Sequence, residues 1–168
     1  MKLSEGVEWC LHCACVLALL PEGSTVPGGR LAEFHGVPSA YLVKHLQALR
    51  RSGVVESTPG KGGGYRLARA PSAITLWDVV CAVEGSAPAF RCTEIRRQGT
   101  LGGLPIREYR AACTITRVMH EAEAAWRAEL RGRTLAELVA QLPTAFCDVV
   151  MAIAGPSGRG TRVGVTSH

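Results

Sequence analysis

The stretch PSAYLVKHLQALRRSGVVESTPGKGGGYRLARA, residues 38–70, decides the fold. Leu42, Leu46 and Leu49 recur at helical spacing and Gly53 closes the segment, so residues 38–53 read as a helix. VVESTP (54–59) and YRLARA (65–70) read as strands joined by the glycine turn GKGGG. Just upstream, RLAEFHGV (30–37) reads as a short helix stopped by Gly36. Two short helices across a tight glycine turn make a helix-turn-helix, and a hairpin directly after the second helix is a wing. The fold class is therefore mainly α: a winged helix-turn-helix with a small two-stranded β wing.

Charge falls where such a unit would use it. The chain has 168 residues and a net charge of +5. Seven Lys/Arg lie between Arg30 and Arg69 (Arg30, Lys44, Arg50, Arg51, Lys61, Arg66 and Arg69), against Glu33 and Glu56 alone. That segment accounts for the whole excess, and the rest of the chain is neutral. A basic island on a neutral body points to a polyanion, here a double-stranded DNA operator. The first residues of a recognition helix face base edges, which selects Ser39, Ala40, Tyr41 and Lys44. Ser39 and Lys44 can hydrogen-bond bases or phosphates, and Tyr41 offers a hydroxyl and a flat apolar face. In the wing, Lys61 and Arg66 suit phosphates or the minor groove, while Gly62 and Gly63 allow close backbone approach. GKGGG is not a phosphate-binding P-loop, because no Ser or Thr follows its Lys and no helix follows the turn.

Working outward, residues 4–20 carry apolar positions at helical spacing (Val7, Leu11, Cys15, Ala18), with Ser4 placed to cap. PEGSTVPGG is a loop, and ITLWDVVCAVEG (74–85) is a further short helix capped by Ser72 or Thr75. Residues 86–112 are loop-like. A long helix from Cys113 to Arg131 follows, with the stripe Ile115, Val118, Met119, Ala122, Ala125, Trp126 and Leu130. Little of its own chain is left to cover that stripe, so a partner subunit is the expected cover. TLAELVAQLP is a last short helix. The expected organisation is a DNA-binding domain over 1–85, a loop over 86–112, a dimerisation helix and short helix over 113–142, and a flexible tail over 143–168.

No apolar run reaches the ~18 residues of a membrane span. The opening MKLSEGVEWCLHCACVLALL mimics a signal peptide, but Glu5, Glu8 and His12 interrupt it and no small-residue cleavage site follows. It reads as a buried helix of a cytoplasmic protein. Seven cysteines, an odd number, argue against a disulfide framework in that compartment. Cys10-x-x-Cys13 has zinc-finger spacing but no second pair, and with Cys15 it reads as packing. A thiol oxidoreductase would need that pair at an exposed helix start in a βαβ setting, which the pattern lacks; an enzyme is not expected. Cys81 reads as core, and Cys147 as a free thiol or nothing.

GKGGGYRLARAPSAITLWDVVCAVEG (60–85) resembles the signature of the Rrf-two family of bacterial transcriptional regulators, which includes the IscR, NsrR and CymR regulators. The similarity runs from Met1 to about Leu142. It implies a homodimeric winged-helix regulator, more often a repressor, whose long C-terminal helix crosses the dimer. Cluster-binding members carry three closely spaced cysteines between the wing domain and that helix. Here Cys92 and Cys113 match the first and last, and none lies between them. MKLSEGVEWCLHC is similar to the redox-sensitive RsrR branch of the family. That likeness implies a 2Fe–2S cluster held by Cys92 and Cys113 of one subunit and by Glu8 and His12 of the other.

The implied ligand set is chemically reasonable. Glu8 and His12 are four apart and project from one helix face. Cys113 begins the long helix, where the helix dipole favours a thiolate. Histidine ligation raises the cluster potential, and a titratable second nitrogen can couple electron transfer to protonation. Trp9, on a face beside His12, is the candidate for passing ligand movement to the DNA-reading heads. The alternatives keep the fold and change the site: a cluster-free regulator of the CymR kind, zinc on the same four ligands, or thiol chemistry.

Overall fold

The structure, a computed structural model, describes residues 2–60, 62–103, 105–111 and 113–153. Helix α1 (Glu5–Leu19) is the central element, packed by α3, α4, α6, α7 and the wing. Cys10, Cys13 and Ala14 are fully buried, and Val7, Cys15, Val16 and Leu17 nearly so. Small and apolar side chains around most of its circumference let neighbours close on every side except one. The remaining strip carries Glu5, Glu8 and His12, all exposed. Ser4 stands at the N-cap but its hydroxyl does not cap the helix. It donates to the Glu84 carboxylate at 2.6 Å, and the Ser4 amide donates to the same oxygen at 2.9 Å.

Helix α2 (Gly28–His35) ends at Gly36, whose φ of 64° is the left-handed conformation a helix stop requires. Helix α3 (Ser39–Arg51) buries Leu42, Leu46 and Leu49 completely. Strands β1 (Val55–Thr58) and β2 (Gly64–Leu67) pair antiparallel in the register Val55↔Leu67 through Thr58↔Gly64. Val26 extends this sheet: it exchanges two backbone hydrogen bonds with Tyr65, at 2.8 and 2.9 Å. That third pairing explains Gly64, where a Cβ would run into the Val26 carbonyl. Both strands are shorter than the sequence suggests, although the Ala68 amide still donates to the Val54 carbonyl at 3.0 Å, one step further along the same register.

Helix α4 (Leu76–Glu84) is capped by Thr75 rather than Ser72, in a reciprocal box with Asp78. Helix α5 (Thr114–Arg131) crosses α4 with Trp126 edge-on to Trp77 at 5.7 Å. Arg127 and Arg131 each stand 4.9 Å from the Trp77 ring centre. Arg127 also donates to the Ser86 and Ala87 carbonyls, and the Glu123 carboxylate accepts from the Ala89 amide. The long helix is thus fastened to the chain leaving α4. Helix α6 (Leu135–Val139) is strapped to the start of α4 by Leu135 N–H to Ile74 O and Leu76 N–H to Arg133 O.

One expectation about the C-terminal half is corrected, that of a flexible tail from residue 143, while the expected loop is locally ordered. The loop over 86–112 is wound into short 3₁₀ turns at Ile95–Arg97, Gly99–Gly103 and Ile106–Tyr109, with Tyr109 buried. The expected flexible tail from 143 instead begins with helix α7 (Thr144–Ile153). Phe146 meets Phe34 at 6.1 Å and Val150 is fully buried, an i, i+4 apolar pair that anchors the helix on the core. The remainder of that expected tail, from Ala154, lies outside the described residues.

Candidate nucleic-acid interface and ligand residues

On α3 the buried leucines turn the opposite face outward. Ser39, Ala40, Tyr41 and Lys44 are all exposed, Tyr41 at 64%. Gln47 and Arg51 continue the Ala40–Lys44 row at helical spacing and are exposed too. Sequence reading missed them, although the same periodicity identifies them. In the wing, Gly62 is exposed with a φ of 91°, and Thr25 donates its hydroxyl to the Gly62 carbonyl at 3.0 Å. A Cβ on Gly63 would collide with the Thr58 carbonyl, so the turn needs glycine there. Lys61 lies outside the described residues. Arg66 sits on β2, within the strand expected for it, and its guanidinium is engaged by Glu56 across the hairpin. It therefore offers DNA less free charge than its type suggests.

The four expected ligands fall into two groups. Glu8 and His12 share the solvated strip of α1 and line an open groove of about 510 Å³ with Leu3, Val7, Leu11 and Leu138. The His12 ring lies 5.7 Å from His35 of α2. Burial, then the nearby His12 charge, pushes the His35 imidazole below its usual range.

Cys92 is exposed in the segment after α4, with its sulfur accepting from the Glu94 amide at 3.4 Å. Glu94 has a φ of 52°, unusual for a residue with a side chain. Its carboxylate is gripped by Arg96 at 3.0 Å, and Arg96 also donates to the Ala111 carbonyl. Cys113 occupies the N-cap position of α5. Its thiol is lowered by the Thr116 and Ile115 amides, with help from the Thr116 hydroxyl and the Arg96 charge. Arg96 thus sits within the influence of both cysteines' surroundings, a role the sequence reading did not assign. Among the described residues no group of three or more His, Cys, Asp or Glu side chains comes together. One chain does not assemble all four expected ligands.

The remaining thiols behave as packing. Burial pushes Cys10 and Cys13 up to about 12 and Cys15 up to about 11, which suits neither metal binding nor thiol exchange. Cys81 packs beside Val7, Trp77 and Val80. Among the described residues no helix is long and apolar enough to cross a membrane.

The family model for Rrf2, described as an iron-dependent transcriptional regulator, matches residues 3–141. The chain belongs to the Rrf2 family. It is 35% identical over 123 residues to YffB of Lactococcus lactis, named as an HTH-type transcriptional regulator, covering 73% of this chain and 77% of that one. It is 34% identical over 92 residues to the HTH-type transcriptional regulator IscR of Escherichia coli, covering 55% and 57%. The fold matches the structure of CymR, the global cysteine regulator of B. subtilis, with a TM-score of 0.62 at 22% identity, over 85% of this chain and 99% of that one. This Rrf2 protein is therefore a winged-helix transcriptional regulator of a DNA-binding family, and its relatives are named as regulators rather than enzymes.

Proposed function

We propose that the protein is a redox-sensing repressor, a homodimer whose 2Fe–2S cluster state controls its affinity for a double-stranded operator. The observation that carries this reading is the pairing of Glu8 and His12 on the one solvated strip of an otherwise buried helix, lining an apolar groove. A carboxylate and an imidazole on an exposed face four residues apart can hold one metal ion of a pair. Cys92 is accessible, and Cys113 is set among amides and near a guanidinium that favour its thiolate, the form that ligates iron. The donor chemistry fits the group. When bound, such a cluster supplies a one-electron couple.

Completing the set requires a second copy. Ile115, Val118 and Met119 lie exposed at i, i+3 and i+4 on α5, at 66%, 49% and 42%. A stripe of that kind is covered by the α5 of a partner subunit. Ligands from two subunits then make dimer geometry responsive to what is bound. Trp9 adjoins this strip and meets His45 of α3 edge-on at 6.1 Å, so movement at Glu8 or His12 reaches the reading helix through it. Trp9→Ala is expected to uncouple redox state from DNA affinity, and unchanged coupling would refute that route.

A second reading is a cluster-free or zinc- or thiol-dependent regulator. The exposed Cys92 and the thiolate-favouring setting of Cys113 support it, since both suit thiol chemistry without iron. An anaerobic absorption spectrum with iron, sulfide and zinc assays on wild type and His12→Ala separates the two. Visible bands with two irons and two sulfides per site, altered by His12→Ala, are expected. A protein colourless after reconstitution would transfer the function to the second reading.

A further inference from the structure

Gly6 and His45 meet where α1 crosses α3. A Cβ on Gly6 would lie against Cε1 of the His45 ring, 2.6 Å from Nε2 and 2.8 Å from Nδ1. Real side chains do not approach so closely, so the imidazole occupies the place a side chain on residue 6 would take. The other side of the wedge is Trp9, with its ring 6.1 Å away at 81°. Without a side chain at residue 6, the His45 ring of α3 lies against the backbone of α1.

The same corner is tied to a third helix. Ser4, two residues before Gly6, donates its hydroxyl and its amide to Glu84 at the end of α4. Those two bonds, and then the nearby His45 charge, hold the Glu84 carboxyl below the usual carboxylate range. The first turn of α1 is therefore fixed to α4 on one side and bears on α3 on the other.

The position on α3 matters most. Leu42, Leu46 and Leu49 set how deeply α3 sits in the core. They turn one face of the helix inward, and His45, beside that stripe, is the side chain through which α3 bears on Gly6 of α1. His45 follows Lys44 in sequence and stands one turn beyond Tyr41, the two exposed residues best placed to touch bases. A shift of the α3 backbone at His45 moves both.

We propose that His45 is a positioning residue: wedged against Gly6 and the edge of Trp9, it makes α1 set the pose of the recognition helix on DNA. This inference rests on family membership and holds whether or not iron is bound at Glu8 and His12. Its failure and the failure of the cluster reading are therefore separate results.

The test uses the full chain and a duplex enriched from a random pool by the wild-type protein, beside a scrambled duplex of equal composition. Gly6→Ala should weaken the enriched duplex at least tenfold while leaving the scrambled one within threefold, because phosphate contacts tolerate a shift that base contacts do not. Partial unfolding would weaken both duplexes alike. His45→Ala removes the wedge, and Gly6→Ala added to it should have no further effect. Wild-type affinity in folded Gly6→Ala, or strictly additive losses in the double variant, would overturn the proposal. Should Gly6→Ala not fold, His45→Gln and His45→Ala decide. The planar amide of Gln should keep affinity within threefold, and Ala should lose about tenfold. Equal binding by both would overturn the assignment.

Discussion

Trp77→Leu tests whether the joint between α5 and the DNA-binding unit is built by ring contacts. Trp77 is 9% exposed, edge-on to Trp126 at 5.7 Å, with the guanidiniums of Arg127 and Arg131 each 4.9 Å from its ring centre. Leucine keeps much of the buried area and removes the ring. An aromatic pair contributes about 0.5–1.5 kcal/mol beyond its area. Each cation over the ring adds about 0.5–1 kcal/mol at a partly exposed site, with Arg131 at the low end because it is exposed. The expected loss is about 2 kcal/mol, or roughly 4–8 °C in Tm for a chain of this size. Urea unfolding at fixed protein concentration measures it, since dimerisation makes apparent stability depend on concentration. The double variant with Trp126→Leu should show a coupling of about 0.5–1.5 kcal/mol. A loss below about 0.5 kcal/mol in Trp77→Leu, or zero coupling, would refute the argument and leave the bonds of Arg127 and Glu123 to residues 86–89 as the joint.

Gly64→Ala should destabilise the protein by about 1–3 kcal/mol, because its Cβ meets the Val26 carbonyl and the sheet must open; calorimetry checks this. Lys44→Ala should weaken enriched and scrambled duplexes together and reduce the salt slope of binding by about one if Lys44 holds a phosphate, or mainly weaken the enriched duplex if it reads a base. In the metal-free protein, Cys113 should alkylate with a pH midpoint below that of an ordinary thiol, while Cys10 and Cys13 stay unreactive until unfolding; mass spectrometry of labelled peptides reads both. The buried thiols also predict a pH trend. Their folded values of about 12 lie above the 9.0 of an ordinary thiol, so their contribution is fully present below 9.0 and declines as pH rises toward 12; Cys13→Ala should flatten that part of the curve.

The DNA-binding unit was legible from short-range features alone. Leucine spacing marked α3, Gly36 marked the end of α2, and the glycine turn between two short strands marked the wing, because each depends on residues within one or two turns. The exposed face of α3 followed from the same periodicity. The site was less legible. Glu8, His12, Cys92 and Cys113 came from resemblance, while Glu94 and Arg96, which order the segment around Cys92, carry no sequence signal beyond their charge.

What only the tertiary structure decided concerns meetings between distant segments. Local pattern makes residues 144–153 apolar, but only the surface around Phe34 turns them into a docked helix. Ser4 looks like a cap to any local rule, yet Glu84, eighty residues away, takes its hydroxyl. Arg66 looks like a free wing cation until the strand register sets Glu56 opposite it. The sequence by itself determined the helices and the hairpin of the DNA-binding unit, because their hydrogen bonds close locally. The tertiary structure decided which polar groups remain free for DNA or a ligand, because a charge is available only when no distant partner has reached it first.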